Sequence, residues 1–161
     1  MSKPTRNADS DHRLSNDRTF FVTTKTHGGQ RLLQSGRNAT LLIDVLRICI
    51  VRRHFRVHDF VIMPDHMHLL VTVYKDSTIE RAMQLIKGGF SYRVRKEYGY
   101  QGEVWQRGFS DVRIRDRESY ERHRRYIELN PVKAGLAESP GEFPFTYESL
   151  KRQKNAGAKA P

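Results

Sequence analysis

Two histidines, His66 and His68, interrupt the stretch VIMPDHMHLLVTV (61–73), which otherwise reads as an apolar, β-branched strand opened by a Pro-Asp turn. Side chains alternate along a strand, so His66, His68, Leu70 and Thr72 share one face. Met67, Leu69, Val71 and Val73 form a uniformly apolar set on the other. The two histidine Cα atoms would lie roughly 6.5 Å apart, close enough for both imidazoles to converge on one metal ion. Each ring would have to be neutral, with a hydrogen-bond partner for its second nitrogen. The pattern is short, and a pair of surface histidines bonded to water is the competing reading. Two ligands also leave a site incomplete, so a third must come from elsewhere. Imidazole alone favours zinc or manganese over magnesium, and a phosphate oxygen from a bound nucleic acid would shift that preference.

A second group of chemically capable residues lies in SYERHRRYIELNPVKAGL (119–136). Tyr126 and Asn130 are four apart and share a helix face, whereas Tyr120 falls about 120° from Tyr126 around the helix. The two tyrosines therefore do not face one site. A tyrosine hydroxyl can attack a phosphodiester, forming a phosphotyrosine and releasing a sugar hydroxyl. An ordinary phenol, with a pKa near ~10, needs help to do so, and a metal that polarises the phosphate would supply much of it. Tyr126 can equally be a core aromatic over the sheet. Asn130 precedes Pro131, and Asn-Pro suits a helix N-cap followed by proline at the first helical position. One side-chain oxygen would then have to serve as both cap and ligand.

The elements that must position these groups alternate along the chain. TFFVTTK (19–25) is strand-like, and Asn38 can cap a helix with Leu42, Val45, Leu46 and Cys49 on one side. Residues 55–63 and 66–74 read as two strands joined at Pro64-Asp65. Residues 78–98 form a helix with the stripe Ile79, Met83, Ile86, Phe90 and Val94, in which Gly88 and Gly89 suggest a kink or a close approach. A strand at 109–116 and a helix at 117–129 follow. The β-α-β-β-α-β order with an added C-terminal helix, the carrier of the candidate catalytic tyrosine, predicts an α+β, ferredoxin-like fold. Its antiparallel sheet would have the first and third strands central and one face open. Residues 1–17 and 151–161 read as a disordered N-terminal tail and a basic C-terminal tail around one domain, 18–150.

The chain has 161 residues, enough for one domain with a real core, and 29 Lys+Arg against 18 Asp+Glu give a net charge of +11. A mean hydropathy of −0.70 describes a polar surface. No apolar run approaches the ~20 residues that span a bilayer, and the polar N-terminus lacks a signal core. One cysteine, Cys49, fits a reducing cytoplasm and a buried position. The charge points to a polyanion partner. On the second helix Gln84, Lys87, Ser91 and Arg95 lie opposite the apolar stripe, where phosphate contact competes with a merely solvated face. WQRGFSDVRIR (105–115) interleaves aromatics with Arg107, Arg113 and Arg115, which suits base stacking and backbone contact on single strands. Those three arginines are expected at the rim of the site, and Trp105 is either a stacking platform or a core anchor.

Three ordered blocks, MPDHMHLLV, VWQRGFSDVRIRD and YERHRRYIELNPVKAGL, resemble the REP-associated tyrosine transposases, relatives of insertion-sequence transposases among the HUH single-tyrosine endonucleases. The likeness runs from about Thr19 to Leu150 and includes FPFTYESL. It implies a ferredoxin-like domain that cuts and rejoins single-stranded DNA, with hairpins as the recognition feature. His66 and His68 take the place of the metal-binding pair, Mg²⁺ or Mn²⁺ is the implied cofactor, Tyr126 is the implied nucleophile, and Asn130 matches a metal ligand one turn later. The oligomeric state, monomer or homodimer, stays open.

Two rivals share some of these features. A non-catalytic nucleic-acid-binding module of the RRM type would place aromatics where His66 and His68 stand. A hairpin-binding relative without activity would keep the histidines and form no covalent adduct. A metal-dependent hydrolase would need further carboxylate ligands, and Asp65 is expected to point to the opposite sheet face.

Overall fold

The computed structural model describes residues 16–152, so the tails expected at 1–17 and 151–161 lie almost wholly outside the described residues. The elements are β1 (Arg18–Lys25), α1 (Gly36–Val51), β2 (Arg56–Met63), β3 (His66–Val73), α2 (Ile79–Tyr98), β4 (Ser110–Ile114) and α3 (Arg117–Lys133). The strands form one sheet in the order β2-β3-β1-β4, every neighbour antiparallel. This is the ferredoxin-like α+β arrangement, with β1 and β3 central.

One sheet face is apolar because β1 and β3 alternate. Val22, Met67, Leu69, Val71 and Val73 are wholly buried beneath α1 and α2, which contribute Leu42, Leu46, Met83, Ile86, Phe90 and Val94. Each such side chain stabilises the fold by roughly 1.5–3 kcal/mol when fully buried. The helices approach closely at Gly89, where a Cβ would meet Val45 Cγ1 at 3.0 Å. α2 continues through both glycines, so the pair marks a close approach.

Local signals set the helix ends. Ser35, rather than Asn38, caps α1: its Oγ accepts the Asn38 N–H at 3.1 Å. Asn38 is buried and donates its amide to the Leu32 carbonyl at 2.9 Å, so it holds the preceding loop. Thr78 and Asp116 cap α2 and α3 in the same manner. α2 stops at Gly99, which is left-handed at φ 67°.

The helix expected to end at Leu129 runs on to Lys133 with Pro131 inside it. Proline removes one backbone donor and crowds the carbonyl four residues earlier, a cost of about 3 kcal/mol in a helix interior, which the burial of its ring partly offsets.

The second sheet face is not open throughout. α3 packs on β2 and β3. There Ile127 and Phe143 close a smaller cluster with Phe21, Val61, Met63, Leu70 and Ile114. The β1–β4 half is less covered, and Val112 on β4 is 48% exposed. Beyond α3 the chain returns along the outer edge of β2, where Ile62 N–H donates to the Phe145 carbonyl at 2.9 Å and Thr146 bridges Val61. Among the described residues, no helix is long and apolar enough to cross a membrane. Cys49 is buried.

Candidate metal and nucleophile site

His66 and His68 lie on the face opposite α1 and α2, with ring centroids 4.7 Å apart. Register explains what surrounds them: on β1, Lys25 stands opposite His66 and Thr23 opposite His68. Thr23 Oγ1 lies 2.8 Å from His68 Nδ1, and Asp65 Oδ1 lies 2.6 Å from His66 Nδ1. An ionised carboxylate can only accept, so Nδ1 of His66 is the donor in this contact, which leaves Nε2 free to face outward. The Thr23 hydroxyl can accept from His68 Nδ1 in the same way. Both rings can thus present Nε2, the arrangement a metal-binding histidine pair requires.

Burial, followed by the positive ends of His66 and Lys25, pushes the His68 pKa down to about 4. His68 is therefore neutral near pH 7, as a ligand must be.

Tyr126 comes to this pair from α3. Its ring meets His68 edge-on at 5.1 Å between centroids and Phe21 at 5.8 Å. The residue is 44% exposed. Asn130 lies one helical turn further on, partly buried. Because α3 is continuous there, Asn130 caps no new helix, and its backbone carbonyl accepts from Ala134 N–H at 3.0 Å. Among the described residues, no group of three His, Cys, Asp or Glu side chains could hold a metal. Two imidazoles alone leave a metal site incomplete, and a divalent cation held by them would fill its remaining positions with oxygen donors.

Tyr120 is placed elsewhere. Its hydroxyl lies 3.2 Å from His58 Nδ1, its ring stands edge-on to His58, and burial raises its pKa. His58 Nε2 in turn meets Thr72 Oγ1 at 2.6 Å, and Thr72 meets Thr19 at 2.7 Å. This polar chain ties the start of α3 to the sheet.

The sequence expectation turned Asp65 to the opposite sheet face and passed over Thr23 and Lys25. Asp65 does not point away from the histidines: as a turn residue it is free of strand alternation, and its carboxylate folds back onto His66. Only the β1–β3 register reveals Thr23 and Lys25. His123, three residues before Tyr126, was also missed; its ring packs on Phe21 at 4.7 Å between centroids.

The basic residues expected to meet nucleic acid scatter. Lys87 Nζ donates to the carbonyls of Gln106 and Gly108 at 3.1 and 2.7 Å, docking α2 on that loop. Arg95 is exposed on α2 and reaches the Gly102 carbonyl. Arg113 pairs in register with Phe20, on the sheet face away from the histidines, and its guanidinium lies over that ring. Arg115 is exposed just before α3. Arg107 is exposed in a loop that runs beside β1, where Gln106 N–H donates to the Lys25 carbonyl at 2.8 Å. The three arginines therefore do not share one rim. Trp105 is an anchor: its indole N–H donates to the Lys87 carbonyl at 3.0 Å and its ring packs on Phe90.

Comparison with known proteins gives a consistent picture. Residues 29–130, which include His66, His68, Tyr126 and Asn130, match the family described as "Transposase IS200 like". A REP-associated tyrosine transposase from Escherichia coli (strain K12) is 29% identical over 132 residues, 79% of this chain and 73% of its own. A putative REP-associated tyrosine transposase from Haemophilus influenzae is 32% identical over 96 residues, 53% of this chain and 54% of its own. Among solved structures, a REP-associated tyrosine transposase bound to a REP hairpin superimposes with a TM-score of 0.69 at 25% identity. The match covers 89% of this chain and 82% of that one. A putative transposase from Deinococcus radiodurans shares the fold, with a TM-score of 0.54 over 70% of this chain and 89% of its own, at 19% identity.

Proposed function

The chain belongs to the IS200-like transposase family, and from that premise we propose that it cuts and rejoins single-stranded DNA through a covalent bond to Tyr126. The observation that carries this reading is the edge-on contact between Tyr126 and His68, 5.1 Å between ring centroids. It brings a partly exposed tyrosine to a pair of imidazoles whose Nδ1 atoms are already engaged.

In this reading His66, His68 and Asn130 hold Mg²⁺ or Mn²⁺. Such a cation, when bound, supplies positive charge that orients the scissile phosphate and stabilises the charge developing on it. Asp65 and Thr23 keep the two rings turned toward it. The Tyr126 oxygen attacks the phosphorus, its proton passing to solvent. The bond from phosphorus to the 3′ oxygen breaks, and that oxygen takes up a proton. The products are a 5′-phosphotyrosine and a free 3′-hydroxyl. Because a phosphodiester is exchanged for a phosphodiester, a second 3′-hydroxyl can displace Tyr126 and join strands without ATP. A solved relative holds a REP hairpin, and on that ground hairpin-bearing single-stranded DNA is the substrate proposed here.

The test is denaturing electrophoresis of the protein with end-labelled hairpin DNA and Mn²⁺. A protein-DNA adduct is expected, lost in Tyr126→Phe and retained in Tyr120→Phe. An adduct that survives in Tyr126→Phe overturns the assignment. Hairpin binding with no adduct under any metal leaves the non-catalytic binding module as the function.

A further inference from the structure

The β1–β4 half of the histidine face is less covered than the β2–β3 half beneath α3, which leaves a trough beside that helix. Its floor carries Phe21 opposite Val112 and Thr23 opposite the exposed Ser110. One wall is α3. At 100° per residue, Arg122 and Lys133 fall about 40° and 20° from Tyr126 around that helix, both on the side away from buried Ile127. Both are exposed, and they bracket Tyr126 along the axis, about 16 Å apart. The floor continues along β1 to Lys25 and the loop beside it, which carries Arg107, both exposed. Among the described residues these four cations make no side-chain hydrogen bond or ion pair.

The helix-covered side differs, because several of its cations are engaged. Arg47 and Arg93 both pair with Asp44, and Arg93 also with Glu97. Arg37 lies over the Tyr98 ring, Lys87 is spent on two carbonyls, and Arg113 lies over Phe20. A cation already satisfied by protein gains less from a phosphate than an unpaired one.

We propose that the strand to be cut lies along this trough, its phosphates held by Arg122 and Lys133 on α3 and by Lys25 and Arg107 at the end of its floor. α2 then supplies little of the affinity. This rests on the reading of single-stranded DNA as substrate. It moves the electrostatic footprint from α2 to α3, the helix that also carries the nucleophile. Tyr126 is thereby set between two backbone contacts, which fixes the phosphate it faces.

The test is fluorescence anisotropy with a labelled hairpin that has a single-stranded flank, in EDTA, across a salt series. Without divalent metal the readout is noncovalent binding alone. Arg122→Gln and Lys133→Gln are each expected to flatten the slope of log affinity against log salt by about 0.7, the value for one phosphate contact on a single strand. Arg81→Gln and Arg95→Gln, exposed on α2, are expected to leave it unchanged. Slopes altered by the α2 changes but not by the α3 changes overturn the trough. If Arg122→Gln and Lys133→Gln bind normally while the Tyr126 adduct still forms, the trough falls and the covalent reading stands. If the slopes follow expectation and no adduct forms, the reverse holds.

Discussion

The carboxylate of Asp65 accepts a hydrogen bond from Nδ1 of His66 at 2.6 Å, in a turn that the strand then leaves at once. The contact fixes one tautomer and makes Nε2 more basic, and it does so from a residue adjacent in sequence. Such partners of metal-binding histidines typically matter about 10–100-fold in metal affinity. Asp65→Asn is therefore expected to weaken Mn²⁺ binding, measured by electron paramagnetic resonance without DNA, by that factor. Thr23→Val should do less, because a hydroxyl carries no charge. Equal Mn²⁺ affinity in Asp65→Asn and the parent protein would exclude this role.

Protonation of His68 should cost stability in the metal-free protein. Its folded pKa, about 4, lies below the ordinary 6.5. The unfolded chain thus binds more protons between those values, and stability falls as pH drops through that window. Above pH 6.5 the contribution is fully present, and below 4 it is gone. The difference is about 3 kcal/mol at most. Urea unfolding at pH 7 and pH 4 in EDTA measures it, with His68→Gln expected to show a flatter pH dependence.

The local half of this organisation was legible in the residues. Period-two alternation put His66 and His68 on one face, and the helical wheel separated Tyr126 from Tyr120, which the structure sends to His58. The Asn130-Pro131 pair misled, because proline usually marks a helix start or follows a helix end, and here its buried ring is accommodated inside the last turn of α3. What stayed hidden depends on contacts distant in sequence. Thr23 and Lys25 reach the histidines only through the β1–β3 register. Charge counting on α2 could not foresee that Lys87 is consumed by the 106–108 loop, nor that β4 turns Arg113 toward Phe20. Asp65 was misplaced for a different reason: alternation has no authority over a turn.

The two adjacent glycines of α2 should respond oppositely to alanine. A Cβ at Gly88 would meet nothing within 4 Å, so Gly88→Ala is expected to stabilise by about 1 kcal/mol through helix propensity. At Gly89 the same carbon would press on Val45 Cγ1 at 3.0 Å, and a valine in a helix has little rotamer freedom with which to yield. Gly89→Ala should therefore lose about 1–3 kcal/mol to overpacking. Thermal or denaturant unfolding of the two variants decides it. Similar gains in both would mean that α1 and α2 can separate at no cost.

Phe21 is the shared support beneath His68 and Tyr126, the groups proposed to react. Its ring stacks on His68 at 5.4 Å and 19°, and touches His123 and Tyr126 at 4.7 and 5.8 Å between centroids. Phe21→Leu keeps most of the buried volume while removing the flat surface against which the phenol rests. The metal pair keeps Asp65 and Thr23, so Mn²⁺ affinity should change little. The phenol loses its lateral stop, and a displacement of about 1 Å in a reacting group can cost about 100-fold in rate. Single-turnover adduct formation at saturating DNA and Mn²⁺ is accordingly expected to slow by about 10–100-fold in Phe21→Leu. An unchanged rate would mean that Tyr126 is positioned by α3 alone, and a loss of Mn²⁺ affinity of similar size would mean that Phe21 acts on the histidines instead.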